Sequence, residues 1–135
     1  MSALDAKSRQ TFYEVLSLEV DCYERALSLL TPLADDSARG LVRDERLQPV
    51  YAELHKIDEY EAKIAEERRR WNQAGRPVEK ALHDLLDRIA SLIRQIQVKL
   101  NVVQRAVEKR RDELIVELDV HNRRHQMQRA YQRKM

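Results

Sequence analysis

An all-α fold, an antiparallel three-helix bundle or coiled-coil hairpin with one long C-terminal helix, is predicted by three features of this chain. Apolar residues recur by fours and threes at Leu82, Leu86, Ile89, Ile93, Ile96, Leu100, Val103 and Val107, then at Leu114 and Leu118, drawing a stripe down one face of a helix. Only two Gly and three Pro interrupt 135 residues. Charged residues make up 36% of the chain against 43% apolar, the balance of long helices with one wet face.

The length suits a single domain, 1–135. A first helix is expected over about residues 3–31, starting near Ser2 or Asp5, with a seam of Tyr13, Leu16, Val20, Tyr23, Leu27 and Leu30 widened by Phe12 and Leu18. Pro32 lacks an amide hydrogen and disfavours helical geometry in Thr31, so the helix should end there. Residues 33–46, with Asp35, Asp36, Ser37 and Gly40, then read as a connector. A second helix is expected over 47–73, with Pro49 tolerated in its first turn and Val50, Leu54, Ile57, Ile64 and Trp71 facing inward. Glu61 and Arg68 interrupt that seam; an unpaired buried charge is costly, which sends them to the margin and Tyr60 inward. Gly75 offers a left-handed stop and Pro77 a preset first turn for a third helix over 78–130.

Registering a hairpin on the turn at Gly75 sets Ile57 opposite Ile93, Leu54 opposite Ile96, Val50 opposite Leu100 and Leu47 opposite Val103. Folding the first helix back beside this pair places its seam against Leu85 and Leu92. The third helix then projects beyond Val107 with Leu114, Ile115, Leu118, Met127, Tyr131 and Met135 unpartnered, and such residues call for an intermolecular partner.

No stretch approaches the roughly 20 apolar residues of a membrane span. The lone Cys22 cannot form an internal disulfide, and the expected compartment is the cytoplasm. Arg123, Arg124, Arg129, Arg133 and Lys134 lie beyond Val120 with no acid among them, so the basic character is terminal and the rest of the chain is net acidic. Arginines at a helix end suit the macrodipole, and the chain has no motif of a nucleic-acid-binding fold, which argues against nucleic acid as partner.

His121 and His125 are four apart, as two ligands of a zinc site would be, but the intervening Asn122-Arg123-Arg124 supplies two cations and no acid. His55 and His83 sit among charged residues and read as surface groups. Cys22, next to Tyr23 and with no histidine near it in sequence, reads as a buried or half-buried thiol. Neither glycine belongs to a phosphate-cradling loop. No catalytic, metal or cofactor residue is assigned, and no enzymatic activity or small-molecule substrate is expected.

A first helix with Leu16, Leu18, Glu19, Tyr23, Leu27, Leu29 and Leu30, a second ending in Glu66-Glu67-Arg68-Arg69-Arg70, and a third carrying Leu92-Ile93, Leu100-Asn101 and a late Tyr131 resemble the FlgN family of cytoplasmic flagellar export chaperones. The resemblance implies a chaperone of type III secretion, without cofactor, that binds the C-terminal helices of flagellar hook-associated (hook-filament junction) proteins and escorts them to the export apparatus. Its client site would lie on the late third helix, at Leu114, Ile115, Leu118, Arg123, Arg124, Met127 and Tyr131. The chain would be a monomer or homodimer. Two alternatives compete: a homo-oligomeric structural coiled coil, and a stalk-type adaptor of the export ATPase, against which Pro32, Gly40 and Pro49 argue by interrupting a continuous coil.

Overall fold

The computed structural model of the protein describes residues 5–41, 44–75 and 79–133. All regular structure among them is helical: α1 (Ala6–Ala38), a 3₁₀ turn (Asp44–Arg46), α2 (Leu47–Lys63), α3 (Ala65–Gln73) and α4 (Lys80–Arg133). None of these helices is long and apolar enough to cross a membrane.

Asp5 caps α1. Its carboxylate accepts the Ser8 N–H at 2.7 Å, satisfying one of the amides that a helix start leaves without a partner, and that bond holds the Asp5 carboxyl below its ordinary pKa. The alternative start at Ser2 lies outside the described residues.

The expected end at Pro32 is overturned, because α1 continues to Ala38 with Pro32 inside it. The missing amide withholds a bond only from the carbonyl of Ser28, and both residues are exposed, so that carbonyl lies on the solvent side of the helix. Continuing the helix buries Leu33, Ala34 and Ser37, which outweighs one lost bond. The stop comes at Gly40, whose φ of 84° is left-handed. The Gly40 N–H bonds the Ser37 carbonyl at 3.0 Å and the Leu41 N–H bonds the Asp36 carbonyl at 2.9 Å, a Schellman closure. The connector thus begins after Ala38, and the first helix spans 6–38.

The expected second helix, 47–73, is divided at Ile64. There the N–H reaches back three residues to Glu61, at 3.2 Å, and φ opens to −116°. The inward positions Val50, Ile57, Ile64 and Trp71 are spaced by seven, and seven residues of ideal helix fall about 20° short of two full turns. One tightened residue, turning about 120° in place of 100°, restores the shortfall and keeps Ile64 and Trp71 in the core. α3 ends at Gly75, with φ 73°. The expected third-helix start at Pro77 and Val78 falls outside the described residues; α4 is helical from Lys80.

Backbone contact is most extensive between α1 and α4 and between α1 and α2, so α1 is the element on which the others pack. Its buried face includes the small residues Cys22, Ala26, Ala34 and Ser37, which let neighbouring axes come close, whereas α2 and α4 meet through Leu, Ile and Val side chains. Ion pairs give the directions. Arg9 pairs with Glu79, just before α4, at 3.2 Å and Glu24, further along α1, pairs with Arg88, further along α4, at 3.1 Å, so these helices run the same way. Arg25 pairs with Glu53 of α2 at 3.1 Å whereas Asp36, further along α1, pairs with Arg46, just before α2, at 3.7 Å, so these run oppositely.

Two apolar clusters fill the contacts. Phe12, Leu16, Ile64, Trp71, Leu82 and Ile89 form the first, and Leu30, Leu33, Leu47, Val50, Ile96 and Val103 belong to the second. The face that α1 buries is turned from the expected seam: Phe12 is inside while Tyr13 and Leu18 are exposed, since a helix gripped on two sides centres its buried arc between its partners and burying Phe12 desolvates no hydroxyl. Trp71 seals the end next to Gly75, edge-on to Phe12 at 6.0 Å and to His83 at 5.3 Å. His83 is therefore a half-buried packing residue, correcting its reading as a surface group.

Candidate interaction surface

The last partly buried residue of α4 is Val107. Every residue from Glu108 to Arg133 is exposed, and at about 1.5 Å per residue this stretch of helix is about 39 Å long. It carries seven exposed large apolar residues, Leu114, Ile115, Val116, Leu118, Val120, Met127 and Tyr131, and Leu118 is 60% and Met127 72% accessible. A monomer seldom leaves such a concentration wet without using it.

Helical geometry divides these residues between two faces. At about 100° per residue, Leu114 and Leu118 lie within about 40° of the line through Ile96, Val103 and Val107, so they prolong the core seam past the ends of α1 and α2. Ile115 lies to one side of it. Val116, Val120, Met127 and Tyr131 occupy the far side, about 200–260° round from Leu114. The seven residues expected to make one client site, Leu114, Ile115, Leu118, Arg123, Arg124, Met127 and Tyr131, are all exposed on one helix but do not share one face. Sequence reading passed over Val116 and Val120. The signal for them was present: 116, 120, 127 and 131 repeat at eleven residues, a spacing that keeps one face on an undistorted helix.

Charge follows the same segment. Arg110 lies 3.7 Å from Glu113 and Asp119 3.3 Å from Arg123, both within the helix. His121 and His125 stack with their ring planes 8° apart and centroids 6.4 Å apart, exposed throughout. No group of three or more His, Cys, Asp or Glu able to hold a metal occurs among the described residues.

Elsewhere the notable chemistry is a buried acid. Glu19 is 0% exposed, and it meets Glu61, which Arg68 holds with two bonds at 2.6 and 2.8 Å. Burial raises the Glu19 pKa to about 8, and the adjoining Glu61 carboxylate adds to the shift. Glu19 thus sits in the core as a neutral acid. Tyr23, on the next turn, is pushed up to about 12 by burial and by the Glu19 and Glu61 charges. Glu61 and Arg68 do lie at the margin, half-exposed, with Tyr60 packed inward. Glu19 went unrecognised although it lies on the line of Leu16, Cys22 and Ala26, because an acid on an apolar line reads first as a margin residue. Cys22 is fully buried; its sulfur accepts from Arg25 Nη2 at 3.3 Å, and burial raises its pKa, the reverse of a reactive thiolate.

Comparison with protein-family models, with curated proteins and with solved structures finds no match for this chain.

Proposed function

We propose that this protein is a helical chaperone that binds an amphipathic client segment on the overhang of α4, in the manner that its resemblance to flagellar export chaperones implies. The clients in that reading are hook-associated proteins, held through their C-terminal helices before export. The supporting observation is the seam itself: Leu114 and Leu118 continue the line of Ile96, Val103 and Val107 where α1 and α2 no longer cover it. The three long segments act in this reading as an antiparallel bundle one strut of which outruns the others. A client helix takes the place beside α4 that α1 and α2 leave empty, so its apolar face completes a bundle already begun. No covalent step is involved. Each leucine well covered by the client contributes on the order of 2 kcal/mol, enough for two of them to decide whether binding is measurable.

The test is calorimetry of the full chain against C-terminal helical peptides of hook-associated proteins. Micromolar or tighter binding is expected, weakened at least about 100-fold by Leu114→Asp combined with Leu118→Asp while circular dichroism stays unchanged. Equal affinity in that double variant rejects the site, and absence of binding by the unaltered chain rejects the client class.

A further inference from the structure

We propose that two copies of this chain pair antiparallel through the far stripe of the overhang, Val116, Val120, Met127 and Tyr131, about a two-fold axis close to His121. The order of charge along the helix identifies the occupant. From Asp112 to Val120 the charged residues are all acidic, Asp112, Glu113, Glu117 and Asp119; from His121 to Arg133 the fixed charges are all basic, Arg123, Arg124, Arg129 and Arg133. A second helix laid in the same direction sets acid on acid and base on base along its whole length, whereas a reversed one sets the acidic half on the basic half twice.

The stripe has the flanking charges such a pairing needs. Glu117 and Arg124 border it on one side, seven residues apart, and among the described residues neither has an ion-pair partner. Asp119, by contrast, is already engaged with Arg123. Reversal about the midpoint between positions 117 and 124 brings Glu117 of one copy level with Arg124 of the other, and leaves Val116 within two residues, about 3 Å, of Met127. The interface is isologous, so each of these contacts occurs twice. The contact is short, about 32 Å from Arg110 to Tyr131, which places it with reversible pairings rather than permanent ones. This pairing is independent of the client reading, which uses the opposite stripe at Leu114 and Leu118.

Sedimentation velocity of the full chain over a micromolar concentration series tests it. The unaltered chain is expected to pass from one-chain to two-chain mass as concentration rises. Glu117→Arg and Arg124→Glu, each acting twice, should weaken association about tenfold or more, and the two together should restore it to within about threefold. All of these positions are exposed on one helix, and circular dichroism verifies that helicity is kept. A chain that stays monomeric throughout overturns the proposal, as does a dimer indifferent to either single reversal or not restored by the double one. A dimer abolished by Leu118→Asp but untouched by Val120→Asp also overturns it, by moving the contact to the other stripe. Failure here leaves peptide binding at Leu114 and Leu118 unaffected, and failure of peptide binding leaves the sedimentation result standing.

Discussion

Arg68 and Glu61 face each other across the one-residue break at Ile64, and the guanidinium fork closes on the carboxylate with Nε at 2.8 Å and Nη2 at 2.6 Å. The pair therefore straddles the joint between α2 and α3, and the same guanidinium lies 5.8 Å from the Phe12 ring on α1. Three elements meet at one side chain. A planar fork can satisfy both carboxylate oxygens at once, which a lysine cannot.

Arg68→Met is expected to destabilise the fold by about 2 kcal/mol, since it leaves the Glu61 carboxyl group beside Glu19 without its guanidinium partner. Adding Glu61→Gln should recover most of that loss. Urea unfolding of the two single variants and the double one measures the coupling; simple additivity would show that the joint does not depend on the pair.

Glu19 makes stability depend on pH. Its folded pKa, about 8, lies above the ordinary value of 4.5, so the folded chain holds a proton that the unfolded chain releases between those limits. Its contribution is complete below about pH 4.5, declines as pH rises, and is lost above about pH 8. Glu19→Gln keeps the shape and removes the ionisation. The expected result is a variant whose thermal midpoint exceeds that of the unaltered chain at pH 9 and whose midpoint changes less between pH 6 and pH 9. Identical pH profiles would place Glu19 in water.

Pro32→Ala supplies the amide that α1 lacks. Pro32 and Ser28 are exposed, so nothing must repack, and the new N–H can bond the Ser28 carbonyl. Stabilisation by about 1–3 kcal/mol is expected, read from the denaturation midpoint at unchanged slope. A loss of stability would mean that the ring restrains the unfolded chain more than it burdens the helix.

Ending the chain at Val107 removes only exposed residues of α4 from the described structure. The thermal midpoint should move by less than about 3 °C while helicity falls with the deleted turns. A fall of about 10 °C or more would show that the overhang folds back on the core in solution.

Much of the fold was legible in the chain. The alternation from Leu82 to Val107 marked the buried line of α4 as far as Val107, and Gly75 stopped α3 with the expected left-handed φ. Less of the candidate surface was legible. The overhang was legible, yet the division of its residues between two faces was not, because unpartnered apolar residues carry no angle until the helix is known to run unbroken to Arg133. A step of nine residues, as from Leu118 to Met127, then turns the side chain to the opposite side.

By itself the amino-acid order determined that the chain is helical and where its third helix stops being amphipathic toward a core. Periodicity and the scarcity of breakers act within one or two turns, so they can be read locally. Only the tertiary structure decided that α1 runs through Pro32, that Phe12 turns in and Tyr13 out, that His83 packs on Trp71, and that an acid at position 19 is buried and neutral. These outcomes depend on what a neighbouring helix offers. Burying Leu33 and Ala34 outweighs one missing hydrogen bond, and burial of Glu19 between its neighbours, with Glu61 alongside, is what keeps its proton on.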